Sequence, residues 1–161
     1  MMVVYYNYGG VEMKGYKDIL KMAVENEVEA HEFYKDAASK VKDKNLKVTF
    51  EELAEEETKH KLLLEGYLRN DLKAMKFKEN KDPQISETLE GQTLSTSMSF
   101  KDAIVLAMKK EQEAMDMYRE FADVSDDDKQ RATFEELVKM EQQHKNRLEE
   151  IYSNAAYAEV W

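Results

Sequence analysis

Four stretches of the chain place apolar residues at spacings of three, four and seven, which is one stripe on a 3.6-residue helix. Tyr16, Ile19, Ala23, Ala30, Tyr34, Ala37 and Val41 make the first stripe, and Leu46, Phe50, Leu53, Leu64 and Tyr67 the second. Phe100, Ile104, Ala107, Ala114, Tyr118 and Phe121 make the third; Phe134, Leu137, Leu148 and Ile151 make the fourth. Residues 16–68 align without a gap onto 100–152, with more than a third of the positions identical. The chain therefore reads as one helical hairpin written twice, at about 15–69 and 99–152. Short connections near Lys42–Lys44 and Val124–Ser125 predict antiparallel packing within each hairpin. Between the copies, at about 70–98, the period lapses into Pro83, Gly91 and a Thr/Ser-rich run, which predicts a long crossover between helices 2 and 3. Ser99 with Asp102 three residues on predicts a helix start, and Ser125-Asp126-Asp127-Asp128 sets carboxylates at the positive end of the fourth helix. Residues 1–12 and 153–161 read as short tails, aromatic for free ends because of Tyr5, Tyr6, Tyr8, Tyr157 and Trp161. The expectation is an all-α single domain over 1–161, a four-helix bundle of two repeated hairpins.

Each stripe is interrupted by a charge, and the interruptions coincide in the two copies. Glu27 sits between Ala23 and Ala30, and Glu111 between Ala107 and Ala114. Glu57 and His60 fill the gap from Leu53 to Leu64; Glu141 and His144 fill the gap from Leu137 to Leu148. Unpaired carboxylates inside a bundle cost several kcal/mol each, and no Lys or Arg shares these stripes. Two divalent cations would balance the four negative charges. Glu and His three residues apart project from one helix face, so each hairpin offers one single glutamate and one Glu-x-x-His pair. Together the hairpins supply six ligands around a pseudo-twofold axis, the donor set of a dinuclear carboxylate bundle. Carboxylate and imidazole donors suit iron, or manganese, rather than structural zinc.

Tyr34 and Tyr118 each lie seven residues after a stripe glutamate. Either they pack as aromatic core, or their hydroxyls find a ligand carboxylate. His31 lies four residues after Glu27, but its counterpart is Met115, and it reads as packed or solvated. Glu51, Glu52, Glu55 and Glu56 fall off the stripe and read as a solvated face. The methionines read as gap-filling core.

Composition narrows the chemistry further. The 161 residues include no cysteine, which excludes disulfides, thiolate metal sites and a cysteine nucleophile within this sequence. A net charge of −10 argues against a nucleic-acid partner. No apolar run is long enough to cross a bilayer, and the N-terminus lacks the pattern of a signal peptide, so the expected location is the cytoplasm.

With these residues in place, the sequence resembles the rubrerythrin branch of the ferritin-like diiron-carboxylate superfamily. The resemblance covers roughly residues 15–152 and rests on Glu27 with Tyr34, Glu57-x-x-His60, Glu111 with Tyr118, and Glu141-x-x-His144. It implies a ferritin-like bundle holding two iron ions per chain. Glu27 and Glu111 would be terminal ligands, Glu57 and Glu141 bridging ligands, and His60 and His144 would serve one metal each. Tyr34 and Tyr118 would be hydrogen-bond partners of the carboxylates, and the protein a homodimer or larger assembly.

Two departures from the family pattern stand out. There is no cysteine-ligated rubredoxin domain here, so the expected electron donor is separate, such as a rubredoxin-like protein. The family's further glutamate, three residues after the third-helix ligand, is Ala114. The leading expectation is a diiron oxidoreductase that reduces peroxide or dioxygen. The alternatives are a ferritin-like iron oxidation and storage protein, or a helical interaction module with a structural metal site.

Overall fold

The computed structural model describes residues 5–8, 11–70, 93–154 and 161. Four long helices dominate: α1 Gly15–Lys40, α2 Lys44–Asn70, α3 Phe100–Val124 and α4 Asp128–Asn154. The starts of α2, α3 and α4 are set by short polar side chains. Asp43 accepts from the backbone N–H of Asn45 and Leu46 at 2.8 and 2.9 Å, and its repeat counterpart Asp127 accepts from that of Gln130 at 2.8 Å. Ser99 caps α3 through the N–H of Asp102 at 3.1 Å. Each of these bonds satisfies a donor that a helix start leaves without an intrahelical partner.

The core divides into two apolar clusters. One joins Phe33, Tyr34 and Ala37 of α1 to Phe50 and Leu53 of α2, Phe100 and Ile104 of α3, and Leu148 and Ile151 of α4. The other joins Ile19, Leu20 and Ala23 of α1 to Leu64 of α2, Tyr118 and Phe121 of α3, and Phe134 and Leu137 of α4. The first cluster takes the C-terminal halves of α1 and α4 and the N-terminal halves of α2 and α3; the second takes the opposite halves. Hence α2 and α3 run parallel to each other and antiparallel to α1 and α4. The chain therefore leaves α2 at one end of the bundle and enters α3 at the other. Each fully buried large apolar side chain in these clusters contributes about 1.5–3 kcal/mol, so the bundle is held from its two ends.

Only the last part of the crossover is described, and it runs along α1. The Leu94 N–H donates to Glu29 at 2.7 Å, the Thr96 hydroxyl donates to Asp36, and Lys40 donates to Thr96. Pro83, Gly91 and Tyr157 lie outside the described residues.

The tails differ from the expectation of free ends. Tyr5–Tyr8 (β1) pairs antiparallel with Val11–Lys14 (β2), Tyr5 opposite Lys14 and Tyr8 opposite Val11. Tyrosine and valine favour strands, and Gly9-Gly10 between the two runs is a hairpin signal in the sequence; a search for helical period passes over both. At the other end Trp161 meets the Phe100 ring edge-on at 5.0 Å and donates its indole N–H to the Met98 carbonyl at 3.3 Å. No helix among the described residues is long and apolar enough to cross a membrane.

Candidate metal centre

The layer between the two apolar clusters is charged. Glu27, Glu57, His60, Glu111, Glu141 and His144 converge there, each 4% exposed or less. The approach is nearly symmetric about the bundle axis. His60 Nδ1 lies 2.9 Å from Glu141, 3.2 Å from Glu57 and 3.7 Å from Glu27. His144 Nδ1 lies 3.1 Å from both Glu57 and Glu141 and 3.7 Å from Glu111. The two imidazoles stack with centroids 5.4 Å apart.

Two donor sets emerge, each with its ligand atoms within 4.8 Å of one another. They are Glu27, Glu57, His60 and Glu141, and Glu57, Glu111, Glu141 and His144. Glu57 and Glu141 belong to both sets. The six residues singled out in the sequence are thus brought together, and the two shared carboxylates lie between the two histidines.

The outer carboxylates are held across the pseudo-twofold axis. Tyr34 on α1 donates to Glu111 on α3, and Tyr118 on α3 donates to Glu27 on α1. Both rings also pack on the clusters, Tyr34 stacking on Phe50 at 6.2 Å and Tyr118 on Phe134 at 6.5 Å. Burial first, then the neighbouring carboxylates, keeps both phenols protonated by pushing them well above the usual tyrosine range.

Without metal ions, protons would offset part of the charge in this layer. Burial, reinforced by Glu141, Glu111 and Glu27, pushes the Glu57 carboxyl well above its usual range. Burial and the charges of Glu27 and Glu111 raise Glu141 to about 7. Burial works against a charged imidazole, yet Glu141, Glu27 and Glu57 outweigh it and hold His60 up at about 12; His144 is raised in the same way. Glu111 ends below its usual range because His144 and Tyr34 overcome its desolvation.

The donor chemistry fits a pair of metal ions. Glu57 Oε2, both oxygens of Glu141 and both ring nitrogens of His60 are buried without a well-formed hydrogen bond among the described residues. These close contacts are charge against charge; loss of the protons would leave carboxylate and imidazole lone pairs to face cations. Buried polar atoms are otherwise nearly always hydrogen-bonded.

A narrow cleft between α1 and α3 reaches this layer. It encloses about 30 Å³ and is lined by Ala30, Tyr34, Leu94, Ala114 and Met117 beside Glu27, Glu57, Glu111 and Glu141. Ala30 and Ala114 are repeat counterparts, and their short side chains leave the opening. Two acids on this path were not anticipated. Glu29 holds the Leu94 N–H, and Glu113 is buried with both oxygens unpartnered among the described residues, its carboxyl raised by desolvation. Their equivalence in the repeat was the available signal.

Glu56 corrects the sequence reading. It does not merely face solvent: its carboxylate lies 2.7 Å from His144 Nε2, while Glu51, Glu52 and Glu55 are exposed as expected. A bond from α2 to α4 leaves no trace in the period of either helix. His31 stays outside the centre, its Nδ1 lying 2.8 Å from the Ala54 carbonyl and 3.0 Å from the Thr58 hydroxyl on the α1–α2 seam.

Comparison with known proteins agrees with this geometry. A family model described as rubrerythrin matches residues 18–152. A hypothetical protein from Pyrococcus furiosus is 28% identical, with a TM-score of 0.65 over 85% of this chain and 87% of that one. A structure from Thermotoga maritima, described as a candidate ferritin-like diiron-carboxylate protein, is 20% identical, with a TM-score of 0.64 over 86% of this chain and 94% of that one. No curated protein matches.

Proposed function

The chain belongs to the rubrerythrin family, and from that premise we propose that it is a non-haem diiron oxidoreductase which reduces hydrogen peroxide or dioxygen with electrons from a separate donor. The observation that best supports this reading is the pair of overlapping donor sets that share Glu57 and Glu141. Glu27 and His60 would complete one metal position, and Glu111 and His144 the other. Two bound iron ions would supply the two electrons that, with two protons, turn hydrogen peroxide into two waters.

The chain's own contribution is positioning, access and dielectric. Tyr34 and Tyr118 fix the outer carboxylates by hydrogen bonds from across the bundle. The apolar clusters above and below close the two ends of the layer against bulk water and strengthen the charge interactions in it. The cleft past Ala30 and Ala114 has room for about two water-sized molecules, which suits an oxidant built on two oxygen atoms. Electrons would come from a rubredoxin-like protein in the cytoplasm. Exposed Val28, Val48, Leu62, Leu63 and Val105 fit a homodimer or larger assembly.

The test is stopped-flow mixing of the anaerobic, iron-loaded protein with each oxidant. Faster oxidation by peroxide, followed by repeated turnover with reduced rubredoxin, is the expected result. Faster oxidation by dioxygen, with ferric iron retained in a closed multi-subunit shell, would transfer the assignment to iron storage.

A further inference from the structure

The two histidines face the shared carboxylates alike, but their outward nitrogens do not have the same surroundings. His144 presents Nδ1 to Glu57 and Glu141 and gives Nε2–H to Glu56 at 2.7 Å. Arg147 steadies that acceptor. One guanidinium nitrogen donates to Glu56 at 3.3 Å and another to Glu52 at 3.2 Å. A continuous chain therefore runs from exposed Glu52 through Arg147 and Glu56 to the buried imidazole of His144. On the other side, His60 Nε2 is buried without a hydrogen-bond partner among the described residues.

The repeat explains the difference. Met140 occupies the position on α4 that corresponds to Glu56 on α2, and Leu63 the position on α2 that corresponds to Arg147 on α4. The stacked imidazoles and the near-equal inner distances show that the backbone symmetry survives these changes. The substitutions thus alter the support of one histidine and leave the inner donor set symmetric.

A carboxylate on the outer nitrogen of a histidine fixes its tautomer and ring orientation and makes the inner nitrogen a better donor. Its loss typically lowers metal affinity about 10- to 100-fold. We propose that the two metal positions are inequivalent, that the His144 position fills first, and that Glu56, steadied by Arg147, is the positioning residue that sets the order. This inference rests on the dinuclear reading above.

The experiment is anaerobic titration of the metal-free full chain with Co(II), followed by calorimetry and by cobalt absorption. Anomalous scattering from crystals grown at one Co(II) per chain identifies the occupied position. Two resolved steps are expected, about 10- to 100-fold apart, with His144 occupied in the first. Glu56→Met copies the other half and should bring the first step to the second, leaving the His60 step in place. Met140→Glu should tighten the His60 step instead, a gain that general damage to the fold cannot produce. Equal steps in the unaltered protein, first occupancy at His60, or a Glu56→Met titration with an unchanged first step would overturn this inference alone. Failure to bind two ions would overturn the dinuclear reading itself.

Discussion

Tyr34 of the first hairpin donates its hydroxyl to Glu111 of the second, not to Glu27 on its own helix. Tyr118 returns the bond from α3 to Glu27. Each outer carboxylate is therefore held by the opposite copy of the repeat, so neither hairpin can complete its half of the centre alone. The two bonds also tie α1 to α3 beside the cleft, where apolar packing is interrupted.

Tyr34→Phe and Tyr118→Phe should each destabilise the metal-free fold by about 1–3 kcal/mol, because the ring packing remains while a buried carboxylate loses its donor. The two losses should be similar and the double variant non-additive, since both bonds feed one network. Urea denaturation of the three variants measures this. Losses below about 0.5 kcal/mol for both would mean that the hydroxyls contribute nothing net.

Glu57 and Glu141 stand in both donor sets, so removing either should damage both positions. If each donor set holds one iron ion, as proposed, Glu57→Ala or Glu141→Ala should cut bound iron from two per chain to about one or fewer, whereas exposed Glu55→Ala should leave loading unchanged. Elemental analysis of the purified variants decides it. A Glu55→Ala loss equal to that of Glu57→Ala would break the assignment of the helix face.

Much of this centre is legible in the sequence because a 3.6-residue period converts spacing directly into facing. Glu57 and His60 interrupt an apolar stripe, so they must point where Leu53 and Leu64 point, and the repeat removes the doubt that a single match carries. Period cannot say which helix a side chain meets. Glu56 projects off its own stripe and reaches His144 on α4, and Tyr34 bypasses its own glutamate for that of α3. The seating of Leu94 over α1 was hidden for a related reason: a connection without period carries no facing information.

The bare centre should make stability fall as pH rises. Glu57 and Glu141 keep protons in the folded chain above the usual carboxylate value of 4.5, Glu141 to about 7, and His60 keeps its proton to about 12 against 6.5 in the unfolded chain. The folded state thus binds more protons than the unfolded one. Glu141 removes stability from pH 4.5 through 7, Glu57 acts in the same direction, and the imidazole removes more from 6.5 upward. Scanning calorimetry should show the metal-free Tm dropping between about pH 5 and 8, with the slope flattened by bound metal. Metal must displace these protons, so titration heats should vary with the ionisation enthalpy of the buffer. A flat Tm together with buffer-independent heats would count against a charged, pre-clustered site.

Ala114 separates a peroxide reductase that recycles from one that reacts and stalls. It lines the cleft directly beside Glu111, three residues along the same helix, at the position where the resemblance implies a further glutamate. With Ala114 the centre keeps six symmetric donors and an open path, so oxidation of the iron-loaded protein by peroxide should proceed. The further glutamate that the resemblance implies at this position is replaced by a methyl group, so re-reduction and sustained turnover should be slow. Ala114→Glu would add a seventh acid to the lining of a cavity of about 30 Å³ where Glu27, Glu29, Glu57, Glu111, Glu113 and Glu141 already stand. Without metal, that variant should be less stable than the unaltered chain, and increasingly so as pH rises, since the added charge has no counter-ion. With iron bound, the added charge should favour the more highly charged oxidation state and lower the reduction potential. Peroxide turnover with a chemical reductant should then exceed that of the unaltered chain. A redox titration and steady-state turnover measure these effects separately. A lower potential without faster turnover would show that electron delivery, rather than carboxylate exchange, limits the cycle, and an unchanged potential would mean that the new carboxylate does not reach the metals.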